Sequence, residues 1–164
     1  MSINANSTNG FGAGGFDDAN LNIAVSGKGN FSLNATSQNA GGIAYLDVNA
    51  SGLNGTATMT GTSTNYIGVL LHNNNLNNVT ITGNATGNGT GVWISGNSSL
   101  TNTTVSGAGV NGSGVNISGN LGNSGNSTIT GNASGNGNGV NISANITNGT
   151  IKGNASGNGS GVNI

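Results

Sequence analysis

The chain has 164 residues, of which 33 are Gly, 34 Asn, 19 Ser and 18 Thr, with no Pro, Cys, Glu or Arg. Its charged residues are Lys28, Lys152, Asp17, Asp18 and Asp47, giving a net charge of −1. Two cations argue against nucleic-acid binding, which needs many Lys and Arg to neutralise phosphate; three acids and one His leave little for acid–base or metal-assisted catalysis; and disulfides and thiolate sites are impossible.

No run of about 18 apolar residues is available to span a membrane. The N-terminus, Met1 to Asn6, has neither the basic nor the apolar segment of a signal peptide. Low charge with abundant Gly, Ser and Asn would suit a disordered linker. Against that, Pro is absent and the 32% of hydrophobic residues recur at regular places.

Copies of one unit begin at Ser2-Ile3-Asn4-Ala5, Ser32-Leu33-Asn34-Ala35, Thr58-Met59-Thr60-Gly61, Thr80-Ile81-Thr82-Gly83, Thr104-Val105-Ser106-Gly107, Thr128-Ile129-Thr130-Gly131 and Thr150-Ile151-Lys152-Gly153. The first apolar anchors, Ile3, Leu33, Met59, Ile81, Val105, Ile129 and Ile151, are separated by 30, 26, 22, 24, 24 and 22 residues. A second anchor follows each by 10 or 11 residues: Ala13 as a weak first member, then Ile43, Val69, Val92, Val115, Val140 and Val162. Apolar residues alternate with polar ones around both anchors, which predicts strands with one buried face at 79–85, 92–95, 127–133 and 140–143. Between the anchors stand Asn9, Asn39, Asn65, Asn88, Asn111, Asn136 and Asn158, with Gly before each second anchor from Ile43 onward. Asn and Gly tolerate the left-handed backbone of a sharp corner, and stacked Asn side chains can hydrogen-bond in a ladder. A third apolar point, Leu76, Leu100, Leu121 and Ile146, predicts a third strand per unit.

Repeated short strands with recurring corners and no helix predict an all-β chain, a single parallel β-helix (β-solenoid) of about 6–7 rungs over residues 1–164. At about 4.8 Å per rung the rod is roughly 30 Å long. Gly83, Gly131 and Gly153 are expected to point inward where two walls approach. The last residue, Ile164, falls inside a strand with no polar cap after it. The expectation is therefore a segment of a longer rod, whose open ends associate end to end.

Candidate chemistry is sparse. No catalytic residue and no cofactor is expected. Asp17 and Asp18 share a loop and Asp47 follows one rung later; they read as solvated loop acids, with a weak calcium site as the sharper alternative. His72 lacks triad or metal-site neighbours and reads as a surface side chain in a loop after Leu71. Trp93 replaces the outward Asn found at 116, 141 and 163, and reads either as a binding contact or as a packed ring. Nineteen Asn-X-Ser/Thr sequons occur where composition alone gives about eight. That excess fits glycosylation, with Asn84, Asn97, Asn102, Asn132 and Asn154 as candidates. It equally fits a repeat that copies its own outer-face Asn and Thr. Outward pairs such as Thr58/Thr60, Thr80/Thr82 and Thr128/Thr130 form rows of methyls and hydroxyls, interrupted by Asn4, Asn34 and Lys152.

Units such as Thr128-Ile-Thr-Gly-Asn-Ala-Ser-Gly-Asn-Gly-Asn-Gly-Val-Asn-Ile-Ser143 resemble the repeats of two-partner-secretion exoproteins of the filamentous haemagglutinin and high-molecular-weight adhesin types. The resemblance implies a right-handed β-helix and export through an outer-membrane transporter partner. It also implies a secreted or bacterial cell-surface location, adhesion to a receptor or glycan on host or neighbouring cells, and in some members hexoses on sequon Asn. The Thr rows resemble the faces of ice-binding solenoids, which gives the first alternative. The unit length and Gly-Asn turns resemble curli-like fibre subunits, which gives the second, although Gln38 is the only Gln.

Overall fold

The structure, a computed structural model, describes residues 1–14, 21–124 and 126–164. Among these, every regular element is a strand, and every strand pairing is parallel. The chain coils through three sheets of seven, seven and six strands, so a unit never pairs with itself but only with the units before and after it. The chain is a parallel β-solenoid.

The first sheet stacks Ser2–Ser7, Phe31–Ser37, Ala57–Ser63, Val79–Ala85, Thr104–Gly109, Thr128–Ala133 and Thr150–Ala155. Its register is unbroken. Ile3 lies beside Leu33, Leu33 beside Met59, Met59 beside Ile81, Ile81 beside Val105, Val105 beside Ile129 and Ile129 beside Ile151. The second sheet joins Ala13, Ile43, Val69, Val92, Val115, Val140 and Val162 in one column. Both anchor series therefore become continuous columns, buried except at their ends. Met59, Ile81, Val105 and Ile129 in one, and Ile43 through Val140 in the other, have no exposed surface. Full burial of each such side chain is worth about 1.5–3 kcal/mol.

The first and second sheets approach closely along a seam of glycines. A Cβ on Gly83 would fall inside the envelope of the Gly91 carbonyl oxygen, and the same holds for Gly131 against Gly139 and Gly153 against Gly161. The inward glycines are thus required by backbone contact across the core. Buried hydroxyls close the neighbouring corner: Ser37 Oγ donates to Gly10 O at 2.8 Å and accepts from Ala40 N at 3.1 Å, and Ser63 does the same with Ala40 O and Tyr66 N. Each buried hydroxyl ties its own turn to the turn of the preceding rung.

The third sheet holds Leu21–Lys28, Leu46–Asn54, Asn75–Asn77, Ser98–Thr101, Leu121–Ser124 and Ile146–Thr147. Its register departs from the predicted column. Leu100 lies beside Leu76, but Leu121 lies beside Ser98 and Leu100 faces Asn123. The connection from Val115 to Leu121 is two residues shorter than that from Val92 to Leu100. A slip of two keeps the same face inward, and Leu121 is still buried at 1%. Leu46–Asn54 is a full strand whose Leu46, Val48 and Ala50 point into the core. Asp47 therefore belongs to a strand, with its backbone beside Asn22, and not to a loop.

Two substitutions test this packing. Val115→Asp or Val140→Asp buries an unpaired carboxylate and should cost several kcal/mol, on the order of 3–5. Gly131→Ala, the smaller change, should also lower the thermal midpoint, because backbone rather than a mobile side chain stands in the way. A melt unchanged by either class would mean that these positions do not face the core.

Candidate functional site

Most outward positions are columns too. In the corner column, Asn39 Nδ2 donates to Asn9 Oδ1 at 2.9 Å, Asn65 to Asn39 at 2.9 Å, Asn111 to Asn88 at 3.1 Å and Asn158 to Asn136 at 3.0 Å. The predicted turn ladder at Asn39, Asn65, Asn88, Asn111, Asn136 and Asn158 is exposed along its length. Further ladders form elsewhere: Asn34 to Asn4, Asn120 to Asn97, Asn154 to Asn132, Asn141 to Asn116 and Asn163 to Asn141, at 2.7–3.1 Å. In each, the later amide donates to the earlier carbonyl.

A third corner, between the third sheet and the next first-sheet strand, was not singled out from the sequence. Asn78, Asn102 and Asn148 adopt φ of 55°, 46° and 58° there. The signal was present: Asn30, Asn78, Asn102, Asn126 and Asn148 each stand two residues before the Ser or Thr that opens a first-sheet outer column.

This placement accounts for the sequons that lie in strands. Positions i and i+2 of a strand share a face, so an outward Asn followed by an outward Ser or Thr is a sequon automatically. Asn84, Asn132 and Asn154 occupy one outer column of the first sheet. Asn97 stands at the corner after the second sheet, and Asn102 at the left-handed corner. Asn97, Asn102, Asn132 and Asn154 are exposed and Asn84 is half-buried. Four of the five are engaged by rung-to-rung bonds: Asn97 Oδ1 and Asn132 Oδ1 each accept from the next rung's amide, Asn154 Nδ2 is the donor to Asn132, and Asn102 Oδ1 accepts from Asn126 N at 3.3 Å.

The remaining candidates separate. Asp17 and Asp18 lie outside the described residues, and among the described residues no three of His, Asp, Glu or Cys gather into a metal-binding group. His72 is the last residue of the strand Val69–His72 rather than a loop residue, because its pairing with Ser95 extends the second sheet by one position. It is half-buried, its Nδ1 lies 2.9 Å from Ser95 Oγ, and its ring meets the Tyr45 ring edge-on at 5.9 Å. Trp93 is half-buried on the second sheet's outer face, between Leu70 and Asn116. Its indole Nε1 donates to Ser118 Oγ at 2.7 Å. The indole N–H is thus bonded, while the residue stays half-exposed.

On the first sheet, Thr58, Thr80, Thr104, Thr128 and Thr150 stack without interruption. The adjacent column reads Asn4, Asn34, Thr60, Thr82, Ser106, Thr130, Lys152. Along the far edge of this face runs a groove of about 610 Å³, lined by Asn84, Ala108, Val110, Asn132, Asn154 and their hydroxyl-bearing neighbours.

The ladders should carry measurable stability. Asn141 donates to Asn116 at 2.8 Å and accepts from Asn163 at 2.7 Å. Asn141→Ala removes both ladder bonds, together with the 3.3 Å bond donated by Asn138 Nδ2, and should cost about 1–3 kcal/mol. Chemical denaturation of variant and parent checks this. A midpoint equal to that of the parent would show that water replaces the ladder without cost.

Comparison of the chain with protein-family models, with curated proteins and with solved structures finds no match.

Proposed function

We propose that this β-solenoid is a non-enzymatic attachment rod, a secreted or cell-surface segment of an adhesin. The observation that carries the reading is the unbroken register of the first sheet over seven strands, which turns every outward residue into a repeated, nearly uncharged column. A repeated surface suits many weak contacts made in parallel, whose linkage raises avidity well above any single affinity. The rod supplies reach, and the partner is a receptor or glycan on an opposing cell. The resemblance to two-partner-secretion repeats supports export through an outer-membrane transporter. A weakly charged, cysteine-free chain that folds by adding rungs on emergence suits such a route.

Beads carrying the chain, and beads carrying a tandem duplicate, should adhere to cell surfaces, with the duplicate holding more than twice as long under flow. Adhesion no better than that of bare beads would overturn the reading. Polysaccharide hydrolysis or elimination should stay at background; turnover that disappears on Asp47→Asn would instead make the rod an enzyme.

One observation favours a second reading. Five consecutive Thr in register beside Thr60, Thr82 and Thr130 form a regular array of methyls and hydroxyls that suits ordered water. If that array binds ice, thermal hysteresis is measurable and is lost in Thr80→Lys with Thr104→Lys. Its absence in the parent chain removes this reading.

A further inference from the structure

In the outer column that ends the first sheet, the rungs carry Thr62, Asn84, Ala108, Asn132 and Asn154. Asn154 Nδ2 donates to Asn132 Oδ1 at 3.0 Å, in the direction common to the other ladders. At the next rung the ladder stops, because Ala108 has no amide. Asn84 and Asn132 are therefore two rungs apart, about 10 Å at the usual strand spacing. Neither the Asn84 amide nor the Asn132 Nδ2 has a side-chain partner among the described residues. The same rung departs from the repeat a second time. Where Thr86, Ser134 and Ser156 stand two residues after their Asn, Val110 stands two residues after Ala108 and is 38% exposed. One missing amide and one added isopropyl group thus share a face, inside the 610 Å³ groove.

We propose that this gap is a binding site for an acetamido group, presented by a neutral oligosaccharide of 2-acetamido sugars. A trans secondary amide has its C=O and N–H pointing in opposite directions, so it fits along the rod axis as the absent rung. Its carbonyl accepts from Asn132 Nδ2 and its N–H donates to Asn84 Oδ1, which continues the ladder in its own direction. Its methyl group rests on Ala108 and Val110. Among the described residues no charged side chain lines the groove, which suits a neutral ligand, and the hydroxyls of Thr86, Ser134 and Ser156 flank Val110 along its length for the sugar's own hydroxyls. The site deepens the attachment reading by naming a ligand class, and it rests on that reading.

The probe is triacetylchitotriose, titrated into chain whose mass shows no added sugar, with side-chain amide resonances followed by NMR. Binding should move the Asn84 and Asn132 signals. Cellotriose, with hydroxyls in place of the acetamido groups, should bind about tenfold more weakly, the scale of one or two lost hydrogen bonds. Ala108→Asn supplies the missing rung. It should keep or raise the melting temperature while weakening triacetylchitotriose by about tenfold. Val110→Ser, which restores the repeat's hydroxyl and leaves the gap open, should weaken it by less and keeps the test available if Ala108→Asn misfolds. Equal binding by Ala108→Asn and the parent, equal binding of cellotriose, or no binding to the parent would each overturn the site. A parent that takes a neutral Gln-rich peptide and not the sugar would overturn the choice of glycan. Bead adhesion that survives Ala108→Asn would sink this site and leave the attachment reading standing; beads that never adhere, with sugar binding intact, would do the reverse.

Discussion

Backbone hydrogen bonds between parallel strands of successive rungs are the constraint on which everything else here depends. Each rung is two or three short strands that cannot satisfy their own N–H and C=O groups, so they bond to the rungs on either side. Parallel pairing in a fixed register then sets each residue against its counterpart about 22–30 residues away. A one-residue slip would turn the core face outward. That cost holds Ile81 between Met59 and Val105, and Val115 between Val92 and Val140.

Once like stands beside like, the chemistry of a position is multiplied by the number of rungs. Apolar positions become buried columns, glycines become a seam between two walls, and Asn amides become ladders. Charge would be multiplied in the same way, and a column of like charges one rung apart would repel along its whole length. A chain with so few ionisable groups avoids that cost, and Lys152 interrupts a neutral column only once.

The same multiplication produces patterns that look like function. The strand sequons follow from outward Asn and outward Ser or Thr sharing a face, and the Thr rows follow from the preference of exposed strand sites for β-branched side chains. The informative residues are those that break a column. Trp93, set after Leu70, stands where the Asn column of the second sheet begins, and Ala108 with Val110 interrupts the first-sheet edge. Interruptions carry specificity because a uniform surface offers every ligand the same contacts at every rung.

Much of this was legible in the residues alone. Two anchors at a constant separation, with period-two alternation around them, dictated parallel strands, the two buried columns, the inward glycines and the corner Asn ladder, because each is a local rule repeated. What the linear pattern did not decide was the third sheet. Leu121 was matched with Leu100 by its rank in the repeat, whereas the shorter connection from Val115 sets it beside Ser98. Asp47 was read as a loop acid, although Leu46, Val48 and Ala50 seat it in a strand. His72 was likewise placed beyond the strand that its pairing with Ser95 extends. Connection lengths vary between rungs, so only the three-dimensional stack shows which residues meet across that part of the wall. The gap at Ala108 has the same origin: its departure from Asn is visible in the sequence, but two amides facing each other across one empty rung exist only once the rungs are stacked.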